Sequence, residues 1–140
     1  MIFYYLDGSA WVKRYYQEKG TGWVQDFFSR SQALACSSLG FVEVTATLAR
    51  KRKAGEIDSP HLENKIRELE ADWDNFVQIL FTTDVVNSAA NLARELALRG
   101  ADAVHRASAL FLQEHFEQDD DQLFFIASDE ELKKAARHPV

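Results

Sequence analysis

Only one cysteine, Cys36, occurs in 140 residues, so an internal disulfide is excluded and a stapled secreted scaffold with it. Two prolines and six glycines are too few for a linker-rich or low-complexity chain. No apolar run approaches the roughly 18 residues that cross a bilayer. The amino terminus lacks the basic segment, long apolar region and small-residue cleavage site of a signal peptide, so the chain is read as cytoplasmic, without a membrane partner. Positive charge is also scarce, with 16 Lys and Arg against 22 Asp and Glu. That balance excludes a protein coated all over with cations for nucleic acid. It leaves room for an enzyme that gathers carboxylates around divalent ions, which then supply positive charge locally.

Hydrophobic residues make up 46% and charged residues 27%, ordinary for one globular domain, and 1–140 is read as a single unit. Short apolar runs alternate with amphipathic stretches. "MIFYYL", "ALACSS", "FVQILFTT" and "LFFIAS" predict strands. Residues 7 to 16, 39 to 53, a stretch opening at "DSP", one marked by Val85, Ala89, Leu92 and Leu96, and one from about Ala101 predict helices. Pro60 suits a first turn, and Leu62, Ile66, Leu69 and Trp73 line one stripe. The pattern is that of an α/β/α sandwich on a mostly parallel sheet of four to five strands.

Ligands of open parallel sheets bind beyond the carboxyl ends of the strands. Asp7 follows the first strand and Asp129 the last, "LFFIASD" repeating the logic of "IFYYLD". Glu43 falls in the first turns after the second strand, and Asp102 opens the helix in "LRGADAVHRASAL". All four can meet at one edge, where a cation would have to offset their repulsion. Oxygen donors suit Mg²⁺ or Mn²⁺, and such sites hydrolyse phosphodiesters. The competing reading is that Asp7, Asp102 and Asp129 each cap a helix. Glu43, between Val42 and Val44, is harder to explain that way.

Taken in order, "YYLDGSAWVKRYY", "SSLGFVEVTATLARKRKAGEI", "LRGADAVHRASAL" and "FIASDEELKKAA" resemble the PIN-domain ribonucleases, and among them the VapC-type toxins of toxin–antitoxin pairs. The resemblance implies a PIN fold and a metal-dependent endoribonuclease with Asp7, Glu43, Asp102 and Asp129 as its catalytic acids. Asp7 and Asp102 would be the direct Mg²⁺ or Mn²⁺ ligands, with Glu43 and Asp129 completing the shell or holding a second ion. Ser9 would orient Asp7. Implied partners are an RNA substrate, a small antitoxin whose tail blocks the site, and a second copy in a homodimer. Two positions depart from the pattern: Gly8 where Thr is common, and Ala127 where a hydroxyl is common, for which Ser128 is the substitute at hand. These departures keep open a second reading, a catalytically weak or inactive RNA- or protein-binding module. A phosphatase of the haloacid dehalogenase type would need an acid where Ser9 stands and is rejected.

Among the remaining residues, Lys13, Arg14 and the run Arg50 to Lys53 are candidate phosphate contacts, the run equally a solvated helix end. His105 is read as a structural residue three positions after Asp102.

Overall fold

The computed structural model describes residues 1–16, 22–30, 33–128 and 131. Asp129, and the short terminal helix expected there, lie outside the described residues.

Strand β1 (Ile2–Leu6) is followed by α1 (Gly8–Trp11), a 3-10 turn (Val12–Arg14) and α2 (Gly22–Arg30). Strand β2 (Leu34–Ser37) leads into α3 (Ser38–Lys53) and α4 (Ser59–Asn75). After β3 (Val77–Ile79) come α5 (Thr83–Leu96), α6 (Gly100–Glu114) and β4 (Gln122–Ile126). The four strands form one sheet in the order β3-β2-β1-β4, and every pairing is parallel. This is the expected α/β/α architecture.

Alternation in β1 divides its side chains between two helical layers. Tyr5 meets His105 of α6, while Tyr4 lies edge-on to Phe27 of α2 at 5.2 Å between ring centres. Because both faces are covered, β1 is apolar throughout, and Tyr4, Tyr5 and Leu6 are buried. Beside this sheet, Trp11 stacks on Phe76 at 4.5 Å, and Trp73 stacks on Phe41 at 5.5 Å.

Several boundaries have local causes. Ser37 caps α3, its Oγ accepting from the Leu39 N–H at 3.1 Å, and Asp58 caps α4 by accepting from the His61 N–H at 2.8 Å. Gly55, at φ 80°, terminates α3 with an N–H bonded to the Arg52 carbonyl. Helix α5 stops at Ala97, which holds the left-handed φ of 53° without being glycine. The first helix is shorter than its sequence pattern. It tightens to 3-10 at Val12, which turns Arg14 and Tyr15 onto Asp72 of α4.

Register places the site. Leu6 pairs with Ile126, so β1 and β4 end level, and the Asp7 N–H donates to the Ile126 carbonyl at 3.0 Å. The chain builds β2 and β3 on one side of β1 and β4 on the other. The crevice between β1 and β4 is therefore the switch point where open α/β sheets bind ligands.

Candidate active site

Asp7 leaves β1 at this crevice and serves as N-cap of α1. Its Oδ1 accepts from the Ala10 N–H at 3.0 Å and from Ser9 Oγ at 2.7 Å. The capping reading and the site reading thus share one residue. Ser9 also reaches the Ala127 carbonyl at 3.1 Å, tying the Asp7 carboxylate to the end of β4. Burial pushes the Asp7 carboxyl above its ordinary value. The two hydrogen bonds and nearby His105 oppose that rise, and the charge of Glu43 adds to it.

Glu43 comes from α3, two turns from the Ser37 cap. A Cβ on Gly8 would stand 2.8 Å from Glu43 Oε1, so the carboxylate lies directly on the backbone next to Asp7. Its Oε1 meets His105 Nε2 at 2.5 Å. The buried Cys36 thiol, its pKa raised first by burial, is raised further by Glu43 and Asp7 together. Two of the four expected acids therefore converge.

Asp102 sits in the first turn of α6, whose N-cap is Arg99, so it does not cap the helix itself. Its Oδ2 pairs with Arg99 Nε at 3.3 Å, and both side chains are largely exposed. Among the described residues, no three Asp, Glu, His or Cys side chains come close enough together to hold an ion. The donors at hand nevertheless fit a hard divalent cation. Asp7 and Glu43 offer carboxylate oxygens only, Asp7 is desolvated, and among the described residues Asp7 Oδ2 and Glu43 Oε2 have no hydrogen-bond partner.

Ser128 is directed elsewhere. Its Oγ accepts from the Glu131 N–H and donates to Glu131 Oε1, both at 3.2 Å. At Asp7, Ser9 bonds the Ala127 main-chain carbonyl.

A groove of about 560 Å³ runs from these acids between α1 with its 3-10 turn and α3. One wall carries Gly8, Ser9, Lys13 and Tyr16, the other Glu43, Thr47 and Arg50. Glu43, Thr47 and Arg50 are spaced four and three apart, one face of α3. Lys13 Nζ donates to Tyr16 Oη at 2.9 Å, and Lys51 Nζ lies 3.8 Å from the centre of the Tyr16 ring. Lys51 also pairs with Glu56, closing the helix end. The basic run is thus divided: Arg50 lines the groove while Lys51 braces Tyr16. Arg14 points away from it and is locked into Asp72 and Gln25.

The chain matches the PIN-domain model over residues 4–138. It is 36% identical over 114 residues to Ribonuclease VapC45 and to Ribonuclease VapC49, both of Mycobacterium tuberculosis, covering 79% of this chain and 76% of each relative. This chain belongs to the PIN-domain family and is of the VapC type.

Within this PIN domain the residue that sequence reasoning undervalued is His105. It is buried, and it is the direct partner of Glu43. A signal was available: it lies one turn after Asp102, on a face of α6 otherwise made of Ala103, Val104, Ala107 and Ser108, where a large polar ring needs a partner. No helix of the described residues is long and apolar enough to cross a membrane.

Proposed function

We propose that this PIN domain is a divalent-metal-dependent endoribonuclease acting as the toxin of a toxin–antitoxin pair, with Asp7, Glu43, Asp102 and Asp129 as its acidic site. The observation that carries the reading is the meeting of Asp7 and Glu43 at the switch point, beside a groove lined by Lys13 and Arg50. The two relatives are named ribonucleases, which supports RNA as substrate.

Asp7 and Asp102 would hold Mg²⁺ or Mn²⁺, with Glu43 and Asp129 beside them. When bound, the ion polarises the phosphate and lowers the pKa of an attacking water. The chain's own residues do the rest. Ser9 and the Ala10 N–H fix Asp7 through Oδ1 and leave Oδ2 for a ligand. Lys13 and Arg50 sit where a phosphate flanking the scissile one would run, and they hold the strand by charge. The Arg99–Asp102 contact is an exposed ion pair of about 0–1 kcal/mol, too weak to keep Asp102 from a cation.

A test uses labelled single-stranded RNA with Mg²⁺ or Mn²⁺. Cleavage should need the ion, stop with chelator, and fall at least about 100-fold in Asp7→Asn and Asp102→Asn with the fold retained. Full activity in either variant would overturn the site. The second reading, an RNA- or protein-binding module with weak or no cleavage, has two observations in its favour: Asp102 is turned to Arg99 and Ser128 to Glu131. RNA binding without cleavage across both ions would select it. The reading also includes a homodimer and a small antitoxin. Exposed Leu80, Phe81 and Phe124 are apolar surface that such contacts would cover. Light scattering should give twice the 16.0 kDa chain mass.

A further inference from the structure

We propose that His105, held by Tyr5, is the positioning residue for Glu43, which lies over the bare backbone of Gly8. The inference deepens the proposed function and rests on Glu43 belonging to the acidic site.

The chain of contacts starts in the core. Tyr5 is wholly buried on β1, and its hydroxyl oxygen accepts the Ser37 N–H at 3.1 Å. The hydroxyl also neighbours Ser108 and Cys36, and its shortest contact, to His105 Nδ1 at 2.8 Å, is the one that takes its proton. An imidazole that accepts at Nδ1 carries its proton on Nε2. That nitrogen is the one facing Glu43 Oε1. Every donor in the series has an acceptor, and the polarity runs one way: Ser37 main chain, Tyr5, His105, Glu43. A neutral imidazole in one tautomer suffices.

Glu43 is a third exposed and on a helix flank, where a free glutamate samples several rotamers. The bond from His105 selects one of them. It occupies Oε1 and leaves Oε2 without a hydrogen-bond partner among the described residues. A side chain at position 8 would crowd this rotamer. A Cβ at position 8 would lie 2.8 Å from Oε1, 3.2 Å from Glu43 Cβ and 3.3 Å from Cδ, closer than ordinary van der Waals contact. Helix α6 carries Asp102 and His105 one turn apart, so a single helix presents one acid and orients another.

The experiment compares wild type, His105→Ala, His105→Gln and Tyr5→Phe. Mn²⁺ binding is read from the paramagnetic resonance of the free ion, thermal unfolding is followed alongside, and the imidazole ¹⁵N shifts of His105 are recorded without metal. Gln places an amide N–H near the position of Nε2, so it should restore what Ala loses. Expected are an Nε2–H tautomer that changes in Glu43→Ala, Mn²⁺ affinity about 10–100-fold weaker in His105→Ala, and recovery to within a few-fold in His105→Gln. Tyr5→Phe should weaken affinity less and blur the tautomer preference. Equal Mn²⁺ affinity in wild type and His105→Ala would overturn the proposal, as would a purely Nδ1–H ring. Failure of wild type to bind Mn²⁺, with the Nε2–H tautomer still sensitive to Glu43, would uphold the contact and sink the metal reading instead.

Discussion

Replacing Lys13 and Arg50 together by alanine should change how RNA binding responds to salt, by an amount the groove dictates. Both cations line its walls, one from the 3-10 turn and one from α3. If each neutralises one phosphate of a single strand, each contributes about 0.7 to the slope of log affinity against log salt. Two contacts make the variant's slope about 1.4 shallower. Between 50 and 200 mM salt, wild type should then lose about sevenfold more affinity than the variant. The assay is fluorescence anisotropy of a labelled RNA on an Asp7→Asn background with chelator, so that nothing is cut. Lys65→Ala is the matched control, since Lys65 lies on α4, paired with Glu68 and outside the groove. Unchanged slope in the double variant, or an equal change in the control, would refute the groove as the path of the strand.

Other consequences are simpler to measure. Asp7→Asn should abolish cleavage yet raise the melting temperature of the metal-free protein near pH 7, because burial disfavours the charged carboxyl; Asn keeps the capping oxygen. The raised folded pKa means that the ionised form costs stability above the ordinary value of 3.8, so the gap between the two proteins should close as pH falls through the raised pKa. Asp72→Ala should cost about 2–3 kcal/mol, since it strands the buried Tyr15 hydroxyl and the Arg14 guanidinium, which now contact Asp72 at 2.5 and 2.7 Å. For 140 residues that is a drop of about 7–10 °C by calorimetry, and a drop under about 3 °C would contradict it. Gly40→Ala should cost about 3 kcal/mol, because its Cβ would sit 2.2 Å from Cys36 Sγ. Adding Cys36→Ala should make the double variant more stable than Gly40→Ala alone, and the opposite order would show that the crowding lies elsewhere.

What could be read from the sequence was what repeats locally. β1 and β2 are apolar runs covered on both faces, β4 is an apolar run at the sheet's edge with Phe124 exposed, and caps such as Asp58 announce themselves by residue type. The extent of β3 was not legible. "FVQILFTT" reads as a strand throughout, yet only Val77–Ile79 pair, because β3 is the sheet's edge beside β2 and Thr82 is taken as the cap of α5. Asp7 and Glu43 could be suspected of meeting, because strand ends in a parallel sheet share an edge. Which way Asp102 turns could not, since an exposed acid near the start of a helix has a cation within reach at Arg99. The Tyr5–His105–Glu43 series was hidden for another reason. Its members lie 100 and 62 residues apart on β1, α6 and α3, and only the packing of α6 against the sheet and against α3 brings them together.

Whether the acids meet around an ion is a spatial question, and the deciding measurement is the anomalous signal of crystals soaked in Mn²⁺. A peak should contact Asp7 and Asp102, with Glu43 still bonded to His105 and Asp129 close by. An empty crevice, with Asp102 still paired to Arg99, would contradict that expectation.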